Sequence, residues 1–80
     1  MMTVSVKLFA TLRRFRPDLK LGESLPVELP DGATLAQLIQ HLGLPEEEVQ
    51  VVFVNGLVRT GEHPLTAGDD VGIFPPVGGG

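Results

Sequence analysis

Val4, Val6 and Leu8 alternate with Ser5 and Lys7, the two-residue period of a strand with one buried face. Phe9 continues the stretch on what should be its polar side. Ala10-Thr11-Leu12-Arg13-Arg14-Phe15 suits a short helical turn that Pro17 stops, because the residue before a proline disfavours the helical region. Leu25-Pro26-Val27-Glu28-Leu29 alternates again, and its proline places it at a sheet edge or a strand start. Pro30-Asp31-Gly32 is a turn. Leu35, Leu38, Ile39 and Leu42 then recur at helical spacing, forming one apolar stripe. Thr34 and Gln37 predict a capping box at the start of this helix. Gly43 and Leu44-Pro45 predict its end.

Glu46 to Glu48 read as a second short turn with a solvated face, Pro45 standing at its start. Val51-Val52-Phe53-Val54 is apolar throughout and reads as a central strand buried on both sides. Asn55-Gly56 predicts a tight hairpin, since both residues tolerate positive φ, with Leu57-Val58-Arg59 returning antiparallel. The turn-rich segment His63 to Asp69 leads into a last strand, Val71-Gly72-Ile73-Phe74. One helix packed across a mixed sheet of about five strands accounts for every apolar stripe, so the fold class is α+β. The expected organisation is one domain over residues 1–74 and a C-terminal tail over residues 75–80.

Composition narrows the function. Eighty residues support one small core, and the absence of cysteine removes disulfides, thiolate nucleophiles and cysteine metal sites. A net charge of −4 argues against nucleic acid as a partner, despite the basic run Arg13, Arg14 and Arg16. No stretch approaches the roughly 20 apolar residues of a membrane span, and no cleavable apolar leader precedes the first strand, so a cytoplasmic protein is expected. His41 and His63 form no ligand set with a third residue, which leaves no metal site. Asp69-Asp70 reads as turn chemistry before a strand. The expected catalytic residues are therefore none; the chain reads as something enzymes act upon.

The last six residues, PPVGGG, carry the distinctive chemistry. Extended, they span about 20 Å. Gly78-Gly79-Gly80 neither follows a strand nor opens a helix, which excludes a phosphate-cradling loop. A run without side chains suits a narrow channel in a partner, and Pro75-Pro76 stiffens its root. Ordering three glycines takes roughly 3–6 kcal/mol. A docking surface offsets this with two or three apolar side chains at about 1.5–3 kcal/mol each. Phe74, Val77 and the odd-faced Phe9 are the candidates, joined by Pro75 and Pro76; Phe74 is equally a candidate core residue.

The segments VKLFATLR, TLAQLIQHLG, VFVNG and HPLTAGDDVGIFPPVGGG resemble the sulfur-carrier proteins of the MoaD/ThiS family along essentially the whole chain. The Phe-Pro-Pro-Val lead into the glycines looks most like the small subunit of molybdopterin synthase. The resemblance implies a ubiquitin-like β-grasp fold and no catalysis by the chain alone. It implies that Gly80 is adenylated with ATP by an E1-like enzyme of the MoeB/ThiF type. A sulfur donor such as a cysteine desulfurase or rhodanese then makes a thiocarboxylate. A large synthase subunit of the MoaE type admits Gly78, Gly79 and Gly80, and the sulfur builds a pterin dithiolene. No cofactor is implied on the carrier itself. Gly78 stands where relatives often have Ala, Ser or Thr, and FATLRRFRPDLK resembles carriers associated with other pterin-dependent or tungsten enzymes. Transfer to tRNA, thiamine or cysteine synthesis, conjugation to lysines, and a non-covalent interaction module are the open alternatives.

Overall fold

A computed structural model of the chain describes residues 1–20 and 22–76. Its strands are β1 (Met2–Leu8), β2 (Leu25–Leu29), β3 (Val51–Val54), β4 (Leu57–Val58) and β5 (Asp70–Phe74), with one α-helix, α1 (Leu35–Leu42), between β2 and β3. They form one sheet in the order β2-β1-β5-β3-β4. β1 and β5 pair in parallel, and the other three ladders are antiparallel. The strand nearest the C-terminus therefore occupies the middle of the sheet. Pro26 lies in the edge strand β2, where a missing N–H is tolerated.

Alternation sorts the strand residues. Val4, Val6 and Leu8 of β1, Val27 and Leu29 of β2, Val52 and Val54 of β3 and Val71 and Ile73 of β5 are buried. Leu35, Leu38 and Leu42 of α1 are buried with them, and Ile39 packs against the cluster half-buried. Val51–Val54 forms a strand as expected, but it is buried on one face and not on both. Val51 and Phe53 are only half-buried, because the single helix covers one face of the sheet. β3 lies between β5 and the two-residue strand β4, so it is next to the edge rather than central.

The helix forms where its local chemistry predicts. The Thr34 side chain accepts from the Gln37 N–H, and Gln37 Oε1 accepts from the Thr34 N–H at 2.8 Å, closing the capping box. Gly43 ends the helix in the left-handed region at φ 72°. Asn55 (φ 52°) and Gly56 (φ 84°) make the β3–β4 turn with both residues at positive φ. Ala10–Phe15 and Glu46–Glu48 are short 3-10 turns. Arg14 pairs with Glu48 between them, and its guanidinium lies 4.8 Å from the Phe15 ring centroid. Arg16 Nη2 donates to the Leu42 carbonyl at 3.3 Å, so the basic run ties its turn to the helix end. Among the described residues no helix is long and apolar enough to cross a membrane.

Candidate functional site

The face of the sheet opposite α1 holds the site. Because side chains alternate along a strand, residues out of phase with the core share this face. From β1 these are Ser5 and Lys7, with Phe9 just beyond the strand; from β5, Asp70, Gly72 and Phe74; from β3, Val51 and Phe53. Phe9, Phe53 and Phe74 are all half-buried. Phe9 and Phe74 stack with centroids 4.1 Å apart and planes within 5°. Phe53 meets Phe74 edge-on at 5.5 Å and 77°. Such pairs add about 0.5–1.5 kcal/mol beyond simple burial.

The backbone explains why Phe9 joins the cluster. Its N–H donates to the Ile73 carbonyl at 3.1 Å, extending the β1–β5 association one residue past the strand. Ala10 then turns away at φ 53°. Gly72 supplies the space beneath the rings: a Cβ there would lie 3.3 Å from Phe9 Cε2 and 3.6 Å from Phe74 Cε1. An open cleft of about 380 Å³ results, lined by Lys7, Phe9, Phe53, Asn55, Asp70 and Gly72 among others.

Asn55 braces one end of this cleft. Its Nδ2 donates to Asp69 Oδ1 at 2.9 Å, and its Oδ1 accepts from the Asp70 N–H at 3.0 Å. Asp69 Oδ2 also accepts from the Thr66 N–H at 2.8 Å. The Asp69 carboxylate thus does turn chemistry, as its position before a strand predicts, whereas Asp70 is already the first residue of β5 and bonds through its backbone. His41 is exposed on α1, and the His63 carbonyl accepts from the Leu35 N–H at 3.0 Å. Among the described residues, no three His, Cys, Asp or Glu side chains group as metal ligands.

The structure therefore brings Phe9 and Phe74 together, on the open face and outside the core. Pro75, half-buried, and Pro76, exposed, follow directly from β5. Val77, Gly78, Gly79 and Gly80 lie outside the described residues. Sequence reasoning missed Phe53, Lys7 and Gly72. The signal for Phe53 was its position between Val52 and Val54; treating the whole strand as core concealed it.

The ThiS family model matches residues 6–80. No curated protein sequence matches the chain. Among solved structures, a putative molybdopterin converting factor, subunit 1, from Pyrococcus furiosus is 30% identical, with a TM-score of 0.78 over 96% of this chain and 100% of that one. Small archaeal modifier protein 1 of H. volcanii is 22% identical, with a TM-score of 0.76 over 96% of this chain and 100% of that one. Caldiarchaeum subterraneum ubiquitin is 15% identical, with a TM-score of 0.60 over 99% and 98%. The architecture is the ubiquitin-like β-grasp.

Proposed function

This chain belongs to the ThiS family, and from that premise we propose that it carries sulfur as a thiocarboxylate on Gly80 for the dithiolene of molybdopterin or tungstopterin. Carriers of the ThiS/MoaD type work with E1-like enzymes. The observation that carries the proposal is the aromatic cluster at the root of the glycine run. Phe74, the last residue of β5, stacks on Phe9, and two prolines then lead to Val77 and the glycines. A partner seated on Phe9, Phe53 and Phe74 receives the run beside its own active centre. The kinship to the Pyrococcus furiosus converting factor supports the pterin branch.

In this reading the Gly80 carboxylate attacks the α-phosphorus of ATP in an enzyme of the MoeB/ThiF type and expels pyrophosphate. Adenylation turns a poor acyl donor into a reactive one. The terminal sulfur of a persulfide on a cysteine desulfurase or rhodanese then attacks the acyl carbon and AMP leaves; a thiol reductant cleaves the resulting acyl disulfide, and the thiocarboxylate remains. The chain has no thiol of its own, so its cargo rides on the acyl carbon. A large subunit of the MoaE type next takes Gly78–Gly80 and passes the sulfur to a precursor pterin. Burial of two or three apolar side chains, at about 1.5–3 kcal/mol each, offsets the roughly 3–6 kcal/mol of ordering three glycines. The site of action is the cytoplasm, where ATP and a reducing milieu coexist.

The test is reconstitution. With ATP, a sulfur donor and the E1-like enzyme of the same organism, the intact mass should rise by one oxygen-to-sulfur exchange. Deleting Gly80 should abolish the shift without altering the thermal melt. Adding the large subunit and precursor pterin should then yield dithiolene. No mass change overturns the carrier chemistry; a thiocarboxylate that produces no dithiolene overturns the pterin assignment and leaves thiolation of other acceptors.

A further inference from the structure

Lys7 occupies a position on the open face that the aromatic cluster alone does not explain. The parallel register sets Lys7 beside Gly72, and the antiparallel register sets Gly72 beside Phe53, so the three form one row across β1, β5 and β3. With neighbouring strands about 5 Å apart, the Lys7 backbone stands roughly 10 Å from that of Phe53. Phe9 follows Lys7 by two residues on the same face. A surface broad enough to cover Phe9, Phe53 and Phe74 therefore covers Lys7 as well.

Lys7 is half-buried and, among the described residues, has no ion-pair partner. Asp70 lines the same cleft but lies beyond ion-pair reach. Covering an unpaired ammonium is strongly unfavourable unless the covering surface supplies a counter-charge. Gly72, between Lys7 and Phe53, lies under the Phe9 and Phe74 rings, and the open cleft beside them is lined by Lys7, Phe9 and Phe53. The cleft thus offers a cation and aromatic surface side by side.

We propose that the E1-like activating enzyme is recognised here by an acidic side chain that pairs with Lys7, carried next to an apolar side chain that packs on the Phe9 and Phe53 rings lining the cleft. The inference rests on the docking role proposed for the aromatic face. Lys7 is on this account a specificity residue: the rings supply apolar area, and the ammonium selects among surfaces able to cover them.

The experiment is an equilibrium titration of the full chain with that enzyme by calorimetry, at low and at high salt. It compares wild type with Lys7→Met, Lys7→Arg, Lys7→Glu and Phe74→Ala, each checked for folding by its thermal melt. Lys7→Met keeps an unbranched apolar side chain and removes the charge. It should weaken binding about ten- to a hundredfold at low salt, the range of a charge-assisted hydrogen bond, and flatten the salt dependence. Lys7→Arg should stay within about threefold of wild type, and Lys7→Glu should weaken binding further than Lys7→Met. If Lys7→Met binds as well as wild type while Phe74→Ala is impaired, docking stands and the acidic contact is overturned. If Phe74→Ala also binds normally, or wild type does not bind, the docking reading fails and this inference with it.

Discussion

Asn55 holds two pieces of chain, its own turn and the Asp69–Asp70 segment, with one side chain and one strained backbone position. It sits at φ 52°, a region that costs an ordinary L-residue about 1–2 kcal/mol. Its amide meanwhile bonds Asp69 and the Asp70 N–H, fourteen and fifteen residues away. Asn55→Ala should therefore lose about 2 kcal/mol of stability, from the left-handed methyl and the two lost bonds. Asn55→Gly keeps the turn comfortable and loses only the bonds, about 1 kcal/mol. Urea denaturation of the two variants separates the contributions; equal losses would mean that the backbone position matters little. The hairpin was legible in Asn55-Gly56 because a turn is decided within four residues. The bond to Asp69 was not, because nothing local in either residue names a partner that far along the chain.

The same distinction governs the elements. α1 could be read almost residue by residue: cap, stripe and stop all act within one or two turns. The prediction for its cap is specific. Thr34→Ala removes the oxygen that accepts from the Gln37 N–H and should cost about 1 kcal/mol in thermal or denaturant unfolding, whereas Thr34→Ser should cost little. The strands were legible as strands, and Phe9 stood out as a residue on the wrong side of its own alternation. Their order across the sheet was not legible, since hydrophobic period reports burial without naming neighbours. β3 shows the limit clearly. Four consecutive apolar residues suit a doubly covered strand, and only the presence of a single helix reveals that Val51 and Phe53 face outward. The open aromatic face was half visible for that reason, since Phe9 and Phe74 stand out in the sequence while Phe53, Lys7 and Gly72 join them only through the register.

At the scale of the molecule, stability and the proposed delivery of sulfur meet in β5. Ile73 is fully buried in this middle strand. A domain of this length has roughly 4–12 kcal/mol of stability in all. Ile73→Ala should remove about 2–5 kcal/mol of it, seen as an early denaturant midpoint and an activation defect that cooling relieves. A defect that persists in fully folded protein would place Ile73 in the interface instead. β5 is hydrogen-bonded on both flanks, and its last carbonyl, that of Phe74, still accepts from the Gln50 N–H at 2.9 Å. A pull directed along β5 from its C-terminal end thus enters the sheet at its central strand and loads two ladders at once, lengthwise. Bonds pulled that way break together, whereas an edge strand peels one bond at a time. The body is mechanically a firm handle: a machine tugging at the glycines meets the resistance of the whole sheet.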